Sequence, residues 1–294
     1  MGENKKDILM IEPIFKDEQL QKAFDENGYV KIPLLNNDDI QGLTNLFYQY
    51  HNELKENSFG ASSFMHDKIT KMKIRDMLYP VFLPYFEKIF KEYTYFGSSF
   101  LYKTKGKNSD LAPHQDWTIV DESKFVAINI WTPLIDTTPQ NGTLYVVPKS
   151  QAQKKFSLRA PTIPFYFLNY LDTVIKCSEP INARAGEAVI LNQSLIHYSS
   201  PNIVDDIRIA ITSGIKSKNA PMNFHYFEES SKVVECYRMP EDFLLDFDNF
   251  TEDIYKRPTK GELVKEFQYV NSVTKKEFIN LFGPNKFNFF QKYF

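Results

Sequence analysis

Among the five histidines of this 294-residue chain, the pairing in His114-Gln115-Asp116 stands out by residue type and spacing. A histidine and a carboxylate two residues apart can grip one metal ion, or simply hydrogen-bond to each other. With 37 acidic residues in the chain, about 0.6 such triplets are expected by chance, and a second does occur at His51-Asn52-Glu53. Local geometry separates the two. Residues i and i+2 share one face of a strand but diverge by about 200° around a helix. The second pair lies in a stretch of helical periodicity, so its side chains cannot converge; the first lies where the chain turns β-rich. A first-row transition ion with bonds of about 2.0–2.2 Å needs at least one further donor. His197, which follows the apolar pair Leu195 and Ile196 and precedes a turn, is the best placed. His66 and His225 have no ligand-spaced partner and read as bystanders.

Two histidines and a carboxylate that leave three positions open form the facial set used to hold non-haem Fe(II). Beyond His197 stands Arg208, in Ile207-Arg208-Ile209-Ala210-Ile211-Thr212. Strand alternation puts the three isoleucines on one face, under flanking helices, and Arg208, Ala210 and Thr212 on the other, facing inward. An inward guanidinium needs a carboxylate partner and pairs with one bidentately. No acidic residue of this strand shares its face, so a dicarboxylate ligand is the natural partner. In the run 125–134 the same alternation places Val126, Ile128, Ile130 and Thr132 together and turns Asn129 and Trp131 towards the cavity. Tyr102 and Lys103 flank the other side of such a barrel, with Lys103 as a further carboxylate contact.

Elements of three kinds must position these side chains. The first ninety-odd residues read mostly as helix: 17–27, ending at Asn27-Gly28 before a short strand 29–32; 38–54, capped by Asn37 or Asp38; and 68–92, interrupted at Pro80 and Pro84. From 95 to 216 the texture is β, with runs at 98–104, 125–134, 143–147, 188–193 and 207–213, and turn signals at Asn141-Gly142 and Ser200-Pro201-Asn202. The pattern predicts an antiparallel sandwich or barrel. After about residue 228 helical character returns, with Thr259…Glu262 and Thr274…Glu277 spaced as capping boxes and Gly283 as a stop. A single domain over residues 1–294 follows: an N-terminal helical region (residues 1–94), a β core (residues 95–216) and a C-terminal helical region (residues 217–294). The acidic stretch Glu241-Asp242…Asp246…Asp248 reads as a solvated face.

Composition narrows the function classes. The chain is 43% hydrophobic and 24% charged, with 35 basic against 37 acidic residues and a net charge of −2. It has ample material for one core and no overall field that would attract nucleic acid or a membrane surface. Its two cysteines, Cys177 and Cys236, fit neither a zinc nor a disulfide framework. The start Met1-Gly2-Glu3-Asn4-Lys5-Lys6 lacks the apolar region of a secretory signal, and Lys6 stands where a myristoylation motif needs Ser or Thr. A cytoplasmic protein without membrane or nucleic-acid partners is expected.

Several of these segments together resemble the phytanoyl-CoA dioxygenase (PhyH) family of Fe(II)/2-oxoglutarate-dependent oxygenases. They are His114-Gln115-Asp116, Asn141-Gly142-Thr143-Leu144-Tyr145-Val146-Val147-Pro148, Ala185-Gly186-Glu187-Ala188-Val189 leading to His197, and Arg208. The early run Phe24-Asp25-Glu26-Asn27-Gly28-Tyr29-Val30, followed by 38–46, is similar too. The likeness covers roughly residues 20–215. It implies an all-β core with flanking helices, a double-stranded β-helix (jelly-roll, cupin-like). It implies that His114, Asp116 and His197 hold Fe(II), that Arg208 binds the distal carboxylate of the cosubstrate 2-oxoglutarate, and that Ser199 and Trp131 help to seat it. Two positions depart from the family pattern: Pro148-Lys149-Ser150-Gln151, where relatives read Pro-Gly-Ser-His, and Glu187, where Asp is common.

The activity implied by the resemblance is O₂-dependent hydroxylation of a C–H bond in a small organic molecule, with release of succinate and CO₂. Halogenating relatives lack the carboxylate ligand, so Asp116 implies hydroxylation or desaturation. Two other classes share the residue pattern: a cupin-like metal-dependent isomerase or hydrolase, and a jelly-roll binding module in which His114 and Asp116 are structural. A CoA- or carrier-linked substrate would need a basic rim, which Lys103, Lys105 and Lys107 would supply.

Overall fold

The computed structural model describes residues 11–152, 158–269 and 273–283. The N-terminal motif Met1-Gly2-Glu3-Asn4-Lys5-Lys6 lies outside the described residues.

Helix α1 (Glu18–Asn27) starts where the Asp17 carboxylate accepts the Leu20 N–H, and it stops at Gly28, whose φ of +81° only glycine adopts freely. After strand β1 (Tyr29–Pro33), helix α2 (Asn37–Tyr50) opens on a reciprocal capping box between Asn36 and Asp39, one residue earlier than the sequence suggested. Strand β2 (Phe59–Ala61) precedes α3 (Lys68–Ile89). Pro80 and Pro84 do not interrupt α3, contrary to expectation. Their i,i+4 spacing puts both on the solvent face, where carbonyls deprived of a donor can bond water. The opposite face, Ile74, Leu78, Phe82 and Phe86, is fully buried.

The β core comprises β3 (Tyr93–Lys103), β4 (Leu111–His114), β5 (Ala127–Pro133) and β6 (Leu144–Val146) and then, after the short α4 (Leu171–Lys176), β7 (Glu179–Ile181), β8 (Glu187–Asn192), β9 (His197–Ser199) and β10 (Arg208–Ser217). They form two antiparallel sheets. The larger has the order β1-β8-β5-β10-β3-β2 and the smaller β4-β9-β6-β7. Alternation assigns their faces as expected. Ile128, Ile130, Ile190, Ile209 and Ile211 pack outward with α1, α2 and α3. Their neighbours Trp131, Val189, Leu191 and Ala210 pack inward against Leu144, Val146 and Ile181 of the smaller sheet. This is the jelly-roll architecture.

The segment after 217 departs from the helical reading. Strands β11 (Asn223–Glu228) and β12 (Val233–Arg238), the one-turn α5 (Phe250–Asp253) and β13 (Glu262–Gln268) precede α6 (Lys275–Phe282). The order β11-β12-β13 makes a third antiparallel sheet. Thr259…Glu262 therefore caps no helix, because Glu262 begins β13. Thr274 and Glu277 do form a capping box, and α6 stops at Gly283. The acidic stretch is also less free than expected. Asp246 bonds both Lys68 and Lys260, and Glu241 pairs with the buried Lys216 at 3.0 Å. No helix among the described residues is long and apolar enough to cross a membrane.

Candidate active site

Strands β4 and β9 pair with His114 directly opposite His197 after a register shift. Their rings lie 4.2 Å apart, centroid to centroid. Asp116, two residues past the end of β4, brings its carboxylate to the same side as the two rings. Its Oδ1 stands 4.0 Å from His114 Nε2 and 3.9 Å from His197 Nε2. The three donors lie within 4.8 Å of one another, so bonds of about 2.0–2.2 Å to a common ion need only about an ångström of closing.

The hydrogen bonds behind the three donors fix which atoms face inward. His114 Nδ1 is 2.8 Å from the Ala112 carbonyl, and His197 Nδ1 is 2.9 Å from the Leu195 carbonyl. Each Nδ1 must carry the proton to bond a carbonyl, which leaves the Nε2 lone pair free as a ligand. Burial and the neighbouring His197 ring push the His114 pKa well below the usual imidazole value, against the pull of Asp116, so the ring stays neutral. Asp116 Oδ2 accepts from Asn129 Nδ2 at 3.0 Å, and the Thr212 hydroxyl donates to Asn129 Oδ1. Asn129 of the larger sheet thus aims the carboxylate of a residue carried by the smaller one.

A cavity of about 420 Å³ runs between the sheets past all three donors. Arg208, Ser199 and Trp131 line it as well. Arg208 is 1% exposed, and its Nε and Nη1 have no hydrogen-bond partner. Burial lowers its pKa to about 9. The Trp131 ring supports the guanidinium, 5.7 Å from Cζ to centroid. A buried cation without an acceptor is costly, and a ligand carboxylate removes that cost.

Lys103 does not belong to this wall. It is fully buried beside Arg208 in the strand register, and its Nζ donates to the Ser199 and Ser200 carbonyls at 3.2 and 2.8 Å. Gly142, at φ +90°, leaves the room: a Cβ there would stand 2.6 Å from Lys103 Cδ. Burial and the Arg208 charge push the Lys103 pKa down to about 6. Lys103 therefore clamps two backbone carbonyls and is not a ligand contact. Lys105 is paired with Asp205 at 2.7 Å, so the expected basic rim loses two of its three members.

The sequence did not point to Arg159 and Glu122. Arg159, 2% exposed, donates from Nε to the Asp116 carbonyl at 2.8 Å, and its two Nη atoms grip both oxygens of Glu122. Nothing in their spacing signals the pair. His225, taken as a bystander, is buried with Nδ1 3.0 Å from the Thr118 carbonyl. His66 Nδ1 lies 3.0 Å from the Asp248 carbonyl, and His51 bonds its own helix end at Phe47.

The family model described as "Phytanoyl-CoA dioxygenase (PhyH)" matches residues 24–210. The rice (Oryza sativa subsp. japonica) protein "Phytanoyl-CoA dioxygenase 1" is 28% identical over 118 residues, 39% of this chain and 42% of that one. The Danio rerio protein "Phytanoyl-CoA dioxygenase domain-containing protein 1" is 25% identical over 143 residues, 46% of this chain and 45% of that one. The chain thus spans less than half the length of these curated relatives. Among solved structures, the non-haem alpha ketoglutarate-dependent carbocyclase SnoK of nogalamycin biosynthesis superposes with a TM-score of 0.55 at 15% identity, over 70% of this chain and 86% of its own. The epimerase SnoN, solved with Fe³⁺, alpha ketoglutarate and nogalamycin RO, does so with 0.51 at 14% identity, over 88% and 96%. At these identities the likeness is one of fold.

Proposed function

The chain belongs to the phytanoyl-CoA dioxygenase (PhyH) family, and from that premise we propose that it is an Fe(II)- and 2-oxoglutarate-dependent oxygenase. Its reaction is hydroxylation of a C–H bond in a small organic molecule, with succinate and CO₂ as coproducts. The observation that carries this reading is a buried guanidinium with two unpartnered nitrogens, in the same cavity as a two-histidine, one-carboxylate cluster. Epimerase SnoN, of the same fold, holds iron and alpha ketoglutarate together.

The donor set fits Fe(II): two imidazoles and one carboxylate. His114 and His197 would hold the ion through Nε2 and Asp116 through Oδ1, because Nδ1 of each histidine and Oδ2 of the aspartate are already engaged. Bound iron supplies the redox chemistry that couples O₂ reduction to oxidative decarboxylation of the keto acid and oxidation of the substrate. Arg208 would take the far carboxylate of 2-oxoglutarate through its guanidinium, which orients the cosubstrate in the cavity. Trp131 keeps the guanidinium in that direction. Asn129 and Thr212 hold the Asp116 carboxylate in one rotamer. Apolar walls from Leu111, Leu144 and Leu191 keep water from the site. A cytoplasmic, reducing location belongs to the same proposal, supported by the two free cysteines.

Anaerobic titration of the purified protein with Fe(II) and 2-oxoglutarate, followed by exposure to O₂ and assay of succinate, tests the proposal. We expect saturable 2-oxoglutarate binding and O₂-dependent succinate formation. In Asp116→Ala we expect both iron content and succinate to be lost. A protein that binds metal but neither binds 2-oxoglutarate nor forms succinate would be a cupin-like isomerase or hydrolase. Unchanged metal content in Asp116→Ala would reduce the cluster to a structural role.

A further inference from the structure

We infer that the end of the cavity remote from Arg208 is a chamber for an uncharged, largely apolar substrate, and that Gly97 sets the size it accepts. This deepens the oxygenase reading and rests on it.

The strand register gives the layout. On β10 the inward side chains run from Arg208 to Thr212 to Gly214, six residues or about 20 Å of extended chain. Across from them on β3 stand Lys103, Ser99 and Gly97. The cationic end and the glycine end are therefore at opposite ends of one cavity. Among the described residues that line it, the charged or titratable side chains are His114, Asp116, His197 and Arg208. All four are assigned to metal and cosubstrate. The remaining wall offers no counter-ion, so a phosphate or carboxylate placed there would lose its hydration without compensation.

That wall is aromatic. Phe64 and Phe250 stack at 5.3 Å, and Phe250 and Trp117 stack almost parallel at 5.7 Å. Trp117 directly follows Asp116, so the row of rings begins beside the metal donors. Its far members are held in place. Lys71 Nζ donates to the Phe247 carbonyl, and Lys68 bonds Asp246, which ties the roofing segment around 243–250 to α3. Leu244 and Ile254 complete the roof.

The two facing glycines differ in what they make room for. A Cβ on Gly214 would stand 2.2 Å from Cε2 and Cζ of the Phe96 ring, which fills that position. A Cβ on Gly97 would meet nothing within 4 Å, although Gly97 lines the cavity. Neither glycine has positive φ, so a side chain at Gly97 brings no backbone strain. It would project into the open chamber and shorten it. A glycine inside a strand otherwise weakens it, and close approach of a ligand is a standard reason for its presence. An anionic CoA tail has no place here, since Lys103 and Lys105 belong to the opposite end and are already engaged.

The chain's two tryptophans are Trp117 and Trp131, and both line the cavity. Intrinsic fluorescence therefore reports its occupancy. The test uses the Mn(II)-loaded, 2-oxoglutarate-bound protein without O₂, titrated with 2-naphthol and with 2-naphthyl phosphate, which share a ring system and differ in charge. We expect saturable quenching by 2-naphthol and binding of the phosphate ester weaker by about tenfold or more. Gly97→Leu should weaken 2-naphthol by a similar factor and leave 2-oxoglutarate binding unchanged. Equal or tighter binding of the phosphate ester overturns the assignment of an uncharged substrate; this comparison needs no variant. Undiminished 2-naphthol binding in Gly97→Leu overturns the role of Gly97. Should the leucine variant fail to fold, the same criteria apply to Gly97→Val. Absence of 2-oxoglutarate binding in the wild-type protein would instead overturn the oxygenase reading, and it is read out separately by calorimetry.

Discussion

Replacing Arg208 by methionine should move ligand affinity and fold stability in opposite directions. The side chain is 1% exposed, two of its nitrogens lack acceptors, and burial has lowered its pKa to about 9. Each charge-assisted hydrogen bond it offers to a carboxylate contributes about 1.5–3 kcal/mol. Two such bonds give about 3–6 kcal/mol, or roughly 10²–10⁴ in Kd for 2-oxoglutarate. Without ligand the same guanidinium is an uncompensated buried charge. A hydrophobic side chain of similar length in its place should stabilise the ligand-free protein by about 1–4 kcal/mol. Denaturant unfolding of the metal-free protein measures the second quantity, with an unchanged m-value as the control. Calorimetric titration of the Mn(II) form with 2-oxoglutarate measures the first. Saturating cosubstrate should stabilise the wild-type protein and leave Arg208→Met unmoved. A methionine variant that is less stable than wild type without ligand, or that binds 2-oxoglutarate within about threefold of it, would refute the assignment of this guanidinium to a ligand carboxylate.

Three further substitutions follow from the site. Asn129→Ala removes the bond that orients Asp116 and should weaken metal binding by about 10–100-fold, read by Mn(II) titration; unchanged affinity would show that the Asn129 bond is dispensable. Arg159→Met leaves Glu122 unpaired and frees the Asp116 carbonyl, and should lower unfolding free energy by about 3–5 kcal/mol, where a loss under ~1 kcal/mol would contradict the geometry. Burial pushes the His225 pKa from its ordinary 6.5 to about 4. Between these values the unfolded chain binds the proton and the folded chain does not, so stability falls as pH drops through that window. His225→Phe should reduce the slope of stability against pH there by up to about 1.4 kcal/mol per unit, and identical slopes for both proteins would contradict it.

Much of the β core was legible because strand alternation is a local rule. Val126, Ile128 and Ile130 announce one face, and Ile209 and Ile211 another, whatever packs against them. The same rule turned Arg208 and Asn129 inward. The C-terminal sheet was not legible. Every residue of β13 except Phe267 is exposed, so Glu-Leu-Val-Lys-Glu shows no buried face and matches helix formers. What makes it a strand is pairing with β12, from Val233 opposite Gln268 to Arg238 opposite Glu262. The prolines of α3 misled for a related reason: the cost of a missing donor depends on whether the orphaned carbonyl meets water, which the local sequence does not state.

From the amino-acid order alone came the candidate donors, the inward face of Arg208, Asn129 and Trp131, and the family likeness, since these depend on residue type and short-range periodicity. Distant contacts decided the rest. Lys103 shares the inward face of β3, but it turns to the Ser199 and Ser200 carbonyls because Gly142 leaves space and Arg208 repels it. Asn129 became the support of Asp116 because the two sheets face each other at that height. The link from Arg159 and Glu122 to Asp116 joins segments some forty residues apart. Such pairings are set by the free energy of packing whole sheets together, and no window of neighbouring residues contains that quantity.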